Sequence, residues 1–346
     1  MIAVKKEGII LNKTTLGFEN EGVLNPAVII ENNEIHVFYR AVSKGNYSSV
    51  GHCILSDPLT IKFRSDIPVI FPQSDYECHG VEDPRIVKID DLFYLTYTAF
   101  DGVNARGALA VSKDLVHFEK IGIITPQITY EEFTHLAEVK GALNEKYLRY
   151  NQHVPTGKKL DKKILLWSKN VIFFPRRING KLFFLNRIKP DIQIVCINNL
   201  EELTHDFWQN YFLHFTENIA LKPKHKHEVS YIGGGCPPIE TKIGWLIIYH
   251  GVYDTLKGYV YSACVALMDL ENPQKEITRL TYPLFKPELN WELKGEVNNV
   301  CFPSGSAIIG DTLYIYYGAA DEQIACASLS LSELLEELLN THKDEK

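Results

Sequence analysis

The chain has 346 residues, 45% hydrophobic and 23% charged, and its 36 basic and 43 acidic side chains leave a formal charge of −7. A chain of this length buries enough surface to fold without disulfide or metal staples. Its acidic balance excludes the basic footprint that non-specific nucleic-acid binding requires. No apolar run reaches the roughly 18 residues of a membrane span, and the start, MIAVKKEGIILNKTT, lacks the apolar stretch of a signal peptide. Seven cysteines with no C-x-x-C pair argue against a zinc ribbon and suit a reducing, cytoplasmic compartment.

One pattern recurs five times: a turn former, a short aromatic and β-branched run, then a second, smaller apolar run. ENNEIHVFYRA (31–41) with SSVGHCILSD (48–57) is the first copy. DDLFYLTYTAFDG (90–102) with RGALAVSKD (106–114) is the second, and NGKLFFLNRI (179–188) with DIQIVCINN (191–199) the third. KIGWLIIYHGV (242–252) with YSACVALMDL (261–270), and GDTLYIYYGAAD (310–321) with QIACASLSL (323–331), complete the series. Each first run reads as a strand and each second as its antiparallel neighbour. Pro-rich connectors such as SDIPVIFPQ and CFPSG read as outer strands or loops. The repeat predicts an all-β chain: a five-bladed β-propeller filling 1–346 as a single catalytic domain. A β-sandwich, or two β domains, is the alternative.

Two segments break the β pattern. In 127–163, Phe133, Leu136, Ala137, Leu143 and Tyr147 keep near-helical spacing, which predicts an inserted helix and loop over one face. The tail has Leu at 331, 334, 335, 338 and 339 and predicts an amphipathic helix over 331–343, capped by Ser330 or Ser332. Either helix could make a contact between copies in a homo-oligomer.

The repeated strands end in Arg40, Tyr97 and Thr98, Arg187, His250 and Asp321. In a propeller such ends approach one another at the central axis, so a polar pocket with positive charge from Arg187 and His250 is expected there. In CHGVEDPRIV (78–87), Pro84 should hold Asp83 extended at a rigid place just before a strand. Such a carboxyl, kept protonated, can serve as a general acid. An Asp-Pro pair is more often only a turn. Gly233-Gly234-Gly235 lets backbone approach a ligand or another strand closely, without the Lys-Ser/Thr of a nucleotide loop. No metal site emerges, and HKHE (225–228) has loop character.

GVEDPR (80–85), FFPRRINGK (173–181), NRIKPDIQI (186–194), IGGGCPPIET (232–241), GWLIIYHGV (244–252), CFPSG (301–305) and YYGAAD (316–321) together resemble glycoside hydrolase family 130, in the family's order and across most of the chain. The resemblance implies a five-bladed propeller acting on β-mannosides, mostly by reversible phosphorolysis with inversion. It implies Asp83 as proton donor, passing its proton through a hydroxyl of the bound mannose. Arg187, His250 and Tyr261 match phosphate ligands, as do Lys169 and Asn170, with Lys where the family has Arg. Asn25, Arg40 and Asp321 match positions that hold the sugar. Tyr231 departs from the family, which often has a basic residue there.

An inverting phosphorylase needs one acid, because phosphate itself is the nucleophile, together with cations to hold it. The resemblance therefore implies inorganic phosphate as co-substrate, a β-mannoside oligosaccharide as substrate and no cofactor. The second reading is an inverting β-mannosidase with Glu228 or Glu240 as base, since a hydrolase needs a second carboxylate. The third is a non-catalytic carbohydrate-binding propeller. The insertion at 127–163 is expected to shape the acceptor side. The linkage stays open between β-1,4 to glucose or N-acetylglucosamine and β-1,2 between mannoses.

Overall fold

Strands dominate the chain because the repeated runs alternate side chains between two buried faces, with Gly, Asn and Asp at the turns. The computed structural model describes residues 2–151 and 163–344. After β1 (Lys5–Leu11), the first antiparallel unit is β2 (Gly22–Glu31), β3 (Glu34–Ser43), β4 (Tyr47–Asp57) and β5 (Thr60–Arg64). The second is β6 (Gly80–Ile89), β7 (Leu92–Phe100), β8 (Ala105–Ser112) and β9 (Glu119–Ile123). Helices α1 (Tyr130–Ala137) and α2 (Glu145–Asn151) precede the third, which is β10 (Lys169–Phe173), β11 (Leu182–Ile188), β12 (Asp191–Ile197), then α3 (His205–Leu213) and β13 (Ile219–Leu221). The fourth is β14 (Tyr231–Gly234), β15 (Ile239–Thr241), β16 (Gly244–Thr255), β17 (Gly258–Met268) and β18 (Glu276–Arg279). The short α4 (Asn290–Leu293) leads to β19 (Cys301–Ile309), β20 (Thr312–Ala319) and β21 (Gln323–Ser330), and α5 (Leu331–Asp344) ends the chain. The N-terminal β1 pairs with β21, so both ends of the chain build the fifth unit. A parallel bridge from Ser48 to Gly80 joins the first two units, giving four hydrogen-bonded sheets among the described residues.

All five predicted strand pairs form in the expected antiparallel register. What the repeat missed is the strand before each pair. CFPSG is not a connector but the buried start of β19. The inserted segment folds as two short helices rather than one, and 152–162 of it lie outside the described residues. Thr129 and Glu132 form a capping box that starts α1. Helix α5 follows the Leu pattern, with Leu334 and Leu338 buried. Ser330 Oγ accepts from the Glu333 amide, and Asp311 accepts from the Ser332 amide. No helix among the described residues is long and apolar enough to cross a membrane.

Five apolar clusters hold the units together, each shared by two neighbours. Phe38 and Val50 meet Ile86 and Leu95 between the first and second units. The cluster between the second and third also takes in Phe133, Tyr147 and Phe212 from the helices. Further clusters join the third unit to the fourth and the fourth to the fifth, the latter covered by Leu334 and Leu338. The last cluster packs Tyr316 and Cys326 of the fifth unit against Val23, Val37 and Tyr39 of the first. The order of packing is therefore cyclic.

A polar repeat accompanies the apolar one. Four units bury a Glu that lies ahead of the first strand, takes the hydroxyl of a Tyr on the second strand, and pairs with a cation on the outermost strand. The sets are Glu19–Tyr39–Arg64, Glu77–Tyr97–Lys120, Glu228–Tyr249–Arg279 and Glu292–Tyr317–Lys6. All four glutamates are 0% exposed. The third unit replaces the set with an uncharged pair, Asn186 donating to Ser168 Oγ over 2.8 Å. A buried carboxylate is tolerated only when its lone pairs are filled, and Glu228 meets that demand with backbone amides of Lys224 and His225 as well. The residue after each Tyr or Asn lies on the opposite face of its strand. Those residues are Arg40, Thr98, Arg187, His250 and Gly318. Tyr97 is thereby corrected from a polar-pocket residue to a member of the buried sets.

Candidate active site

Three first strands carry an Asx residue in the left-handed region: Asn25 at φ 50°, Asp83 at φ 51° and Asn170 at φ 54°. Each sits at a break in register, between Leu24 and Ala27, Glu82 and Arg85, and Lys169 and Ile172. Asn and Asp tolerate this conformation better than other side chains, and a bulge accommodates a proline that cannot join the ladder. Asp83 is thus neither extended nor ahead of a strand, as the sequence suggested, but inside β6 at its bulge. The bulge turns its carboxylate out of the sheet plane.

The carboxylate meets the first unit. Asn25 Nδ2 donates to Asp83 Oδ1 over 2.7 Å, and Arg40 Nη1 lies 3.5 Å from the same oxygen. Gly318 makes room for Asn25, since a Cβ there would collide with Asn25 Oδ1. Arg40 also donates to Ser48 Oγ (2.8 Å) and to Glu82 Oε1 (2.9 Å), and Lys169 Nζ is 3.3 Å from Glu82 Oε2. Glu82, the acidic neighbour in GVEDPR, thereby holds two cations around Asp83, a role the sequence reading did not give it. Arg40 and Asp321 face a cavity of about 750 Å³ whose rim also carries Glu21, Lys44, Asn46 and Glu296.

A second group lies beyond Arg85. Arg187 Nη1 is 3.3 Å from His250 Nε2. Tyr231 and Tyr261 share a hydroxyl–hydroxyl hydrogen bond, and Lys189 Nζ stands 3.9 Å above the Tyr231 ring. Gly233 is required here, because a Cβ would run into His250 and Arg187. Two buried guanidinium nitrogens here, Arg187 Nε and Arg85 Nη2, have no hydrogen-bond partner among the described residues. Burial without partners is costly for a cation, and a bound anion would remove that cost. Tyr150 of α2 packs edge-on against Tyr231, 5.7 Å between centroids. Helix α2 of the insertion therefore meets this cationic group.

The site is strongly polarised. Burial would raise the Asp83 carboxyl, but Arg40, Lys169 and the Asn25 hydrogen bond overcome it and hold it at about 2. Without ligand Asp83 is thus ionised, against the expectation of a protonated acid. Asp321 moves the other way, to about 6, through burial and the negative charge of Asp83, partly opposed by Arg40. Burial, with Arg187 and Arg85 close by, holds His250 well below its ordinary value. It is neutral, and Nε2 can accept from Arg187. The positive charge expected of His250 comes instead from Arg187, Lys189 and Arg85.

Asp321 yields a stability prediction. A carboxyl raised from 3.8 to about 6 opposes folding above the higher value and has no such effect below the lower one. Asp321→Asn should raise stability at pH 8 by about 1–3 kcal/mol, the group being only half-buried. The gain should shrink to nothing near pH 4. Melting curves at the two pH values check this, and an equal or lower melting temperature at pH 8 would contradict it.

The two proposed bases of a hydrolase are accounted for elsewhere. Glu228 is locked into its buried set with Tyr249 and Arg279. Glu240 is exposed and pairs with Arg176 at 2.7 Å and 2.8 Å on β15.

The family profile of glycoside hydrolase family 130, described as β-1,4-mannooligosaccharide phosphorylase, matches residues 12–160 and 146–340. The chain belongs to glycoside hydrolase family 130. Among its relatives in family 130, a 1,2-β-oligomannan phosphorylase of Thermoanaerobacter sp. (strain X514) is 32% identical over 96% of this chain and 99% of its own. A β-1,2-mannobiose phosphorylase of the same organism is 34% identical, covering 90% of each chain. The solved β-1,2-mannobiose phosphorylase of Listeria innocua shares the fold, with a TM-score of 0.70 at 22% identity over 97% of this chain and 99% of that one.

Proposed function

We propose that this family 130 protein is an inverting phosphorylase that cleaves a β-mannosidic linkage with inorganic phosphate, giving α-mannose 1-phosphate and a shortened acceptor. The observation that carries the reading is the pairing of one carboxylate centre, Asp83, with two guanidiniums, Arg187 and Arg85, that each keep one buried nitrogen without a partner among the described residues. In the proposed arrangement Asn25, Arg40 and Asp321 hold the mannosyl unit. Arg187, His250, Tyr261, Lys169 and Asn170 hold phosphate on the other side of the anomeric carbon.

A phosphate oxygen attacks that carbon while its bond to the glycosidic oxygen breaks. Asp83 supplies the proton to the leaving oxygen by way of a mannose hydroxyl. The proton is replaced from the phosphate, which enters as HPO₄²⁻ and leaves esterified, so no net proton is consumed. A dianion held by Lys169 and close to Arg85 would offset part of the positive field that keeps Asp83 ionised, and so shift its carboxyl toward the protonated form the reaction needs. Hydrolysis is disfavoured because both candidate bases, Glu228 and Glu240, are engaged elsewhere.

We further infer that the five units close into a five-bladed propeller forming a single domain. The cyclic order of the apolar clusters and the pairing of β1 with β21 support this. Seven free cysteines support a reducing, cytoplasmic setting. The names of the two relatives that span nearly the whole chain favour β-1,2-linked mannosides. The test is to offer β-1,2-mannobiose and β-1,4-mannobiose with phosphate. Mannose 1-phosphate should form faster from the β-1,2 isomer, and preference for the β-1,4 isomer would overturn the linkage.

A further inference from the structure

Lys189 follows Arg187 by two residues, just past the end of β11, and both cations lie over the Tyr231 ring, while Ile188 between them is buried in the apolar cluster with Phe133 and Phe184. Lys169 stands opposite Arg187 in the β10–β11 register. The third unit therefore presents three cations side by side. Two have polar partners: Lys169 reaches Glu82, and Arg187 reaches His250. Lys189 has an aromatic one, the Tyr231 ring, over which Arg187 also lies at 5.8 Å. Among the described residues no carboxylate stands within ion-pair distance of Lys189, whereas Lys6, Lys120, Arg64 and Arg279, which are also largely buried, each hold one.

An ammonium kept close to two other cations without a counter-ion has a reason to be there only if an anion completes the group. We propose that Lys189 is a further phosphate-binding residue, which the Tyr231 ring holds beside Arg187 so that the two cations grip the co-substrate together. This assignment rests on the phosphorolysis proposed above. It is supported by the depressed affinity of Lys189 for its proton, which burial and the neighbouring Arg187 and Lys169 lower to about 7. A dianion between Lys189 and Arg187 would reverse that depression. The ring supplies a cation–π seat that fixes the ammonium without neutralising it, leaving its three donors available to oxygen.

The experiment uses the full chain and steady-state kinetics with phosphate and mannoside varied separately. Wild-type protein must first make mannose 1-phosphate in a phosphate-dependent way, and failure at that step overturns the phosphorolysis reading itself. Lys189→Met should then raise the KM for phosphate by about 10-fold or more, as expected for loss of one charge-assisted contact. The KM for the mannoside and the melting temperature should change little. Lys189→Arg should keep the phosphate KM within about 3-fold of wild type, because it keeps the charge. If Lys189→Met does not fold, Lys189→Gln is judged on the same ratio. A phosphate KM within about 2-fold of wild type in the neutral variant overturns the assignment of Lys189 while leaving the phosphorylase intact.

Discussion

Asp83→Asn is expected to lower the rate of mannose 1-phosphate formation by about 10²–10⁴-fold, the usual share of a general acid. The same loss should appear in the synthetic direction, because one group must serve both. The substitution is nearly isosteric, and Asn is as well suited as Asp to φ 51° at the β6 bulge. The amide can still face Asn25, so the fold should survive. Binding of the mannosyl unit should survive as well, since Arg40 keeps its bonds to Ser48 and Glu82. The checks are initial rates in both directions and a melting curve. A variant with wild-type rates would remove Asp83 from the chemistry.

Glu228→Gln is expected to act on stability instead. Removing one charge from a buried pair leaves the other uncompensated, which costs about 3–5 kcal/mol. The lower end applies here, because Arg279 keeps its bonds to Glu276. Protein that does fold should retain its phosphorolytic kcat within a few fold. This is where a hydrolase account parts from the present one: there Glu228 is the base, and its loss would abolish turnover with little effect on melting. Denaturant unfolding beside the rate assay separates the two. Full stability with lost activity would reverse the reading.

Much of the fold was legible because the second and third strands of every unit are uninterrupted apolar runs between turn formers. The first strands were not, and the reason is chemical. Pro26, Pro84 and Pro303 interrupt three of them, and proline ordinarily argues against a strand. Bulges beside an edge remove that objection, and two of the same bulges turn Asn25 and Asp83 out of the ladder. The site was thus hidden by the feature that builds it. The Asn-Pro and Asp-Pro pairs at 25–26 and 83–84 were the available signal, since both mark the same place in successive units.

The buried glutamates were missed for a different reason. Glu19 and Glu77 precede their tyrosines by 20 residues and Glu228 by 21, with only Glu292 departing at 25; the spacing was present in the sequence, but a single Glu ahead of a strand ordinarily reads as a solvated surface group. Had Tyr39, Tyr249 and Tyr317 been aligned on the strand repeat, the residues after them would have marked the site: Arg40, His250 and Gly318, whose missing Cβ leaves room for Asn25. Lys189 could not be singled out from sequence, because its importance lies in what it lacks, a carboxylate, and that is a property of the folded neighbourhood.

The central claim is that phosphate, not water, attacks the anomeric carbon. It is tested most directly by following β-1,2-mannobiose with the purified protein, with and without phosphate, by phosphorus and proton NMR. The account predicts α-mannose 1-phosphate and free mannose in equal amounts when phosphate is present, and no cleavage when it is absent. Release of mannose at the same rate without phosphate, or a β-configured sugar phosphate, would contradict it.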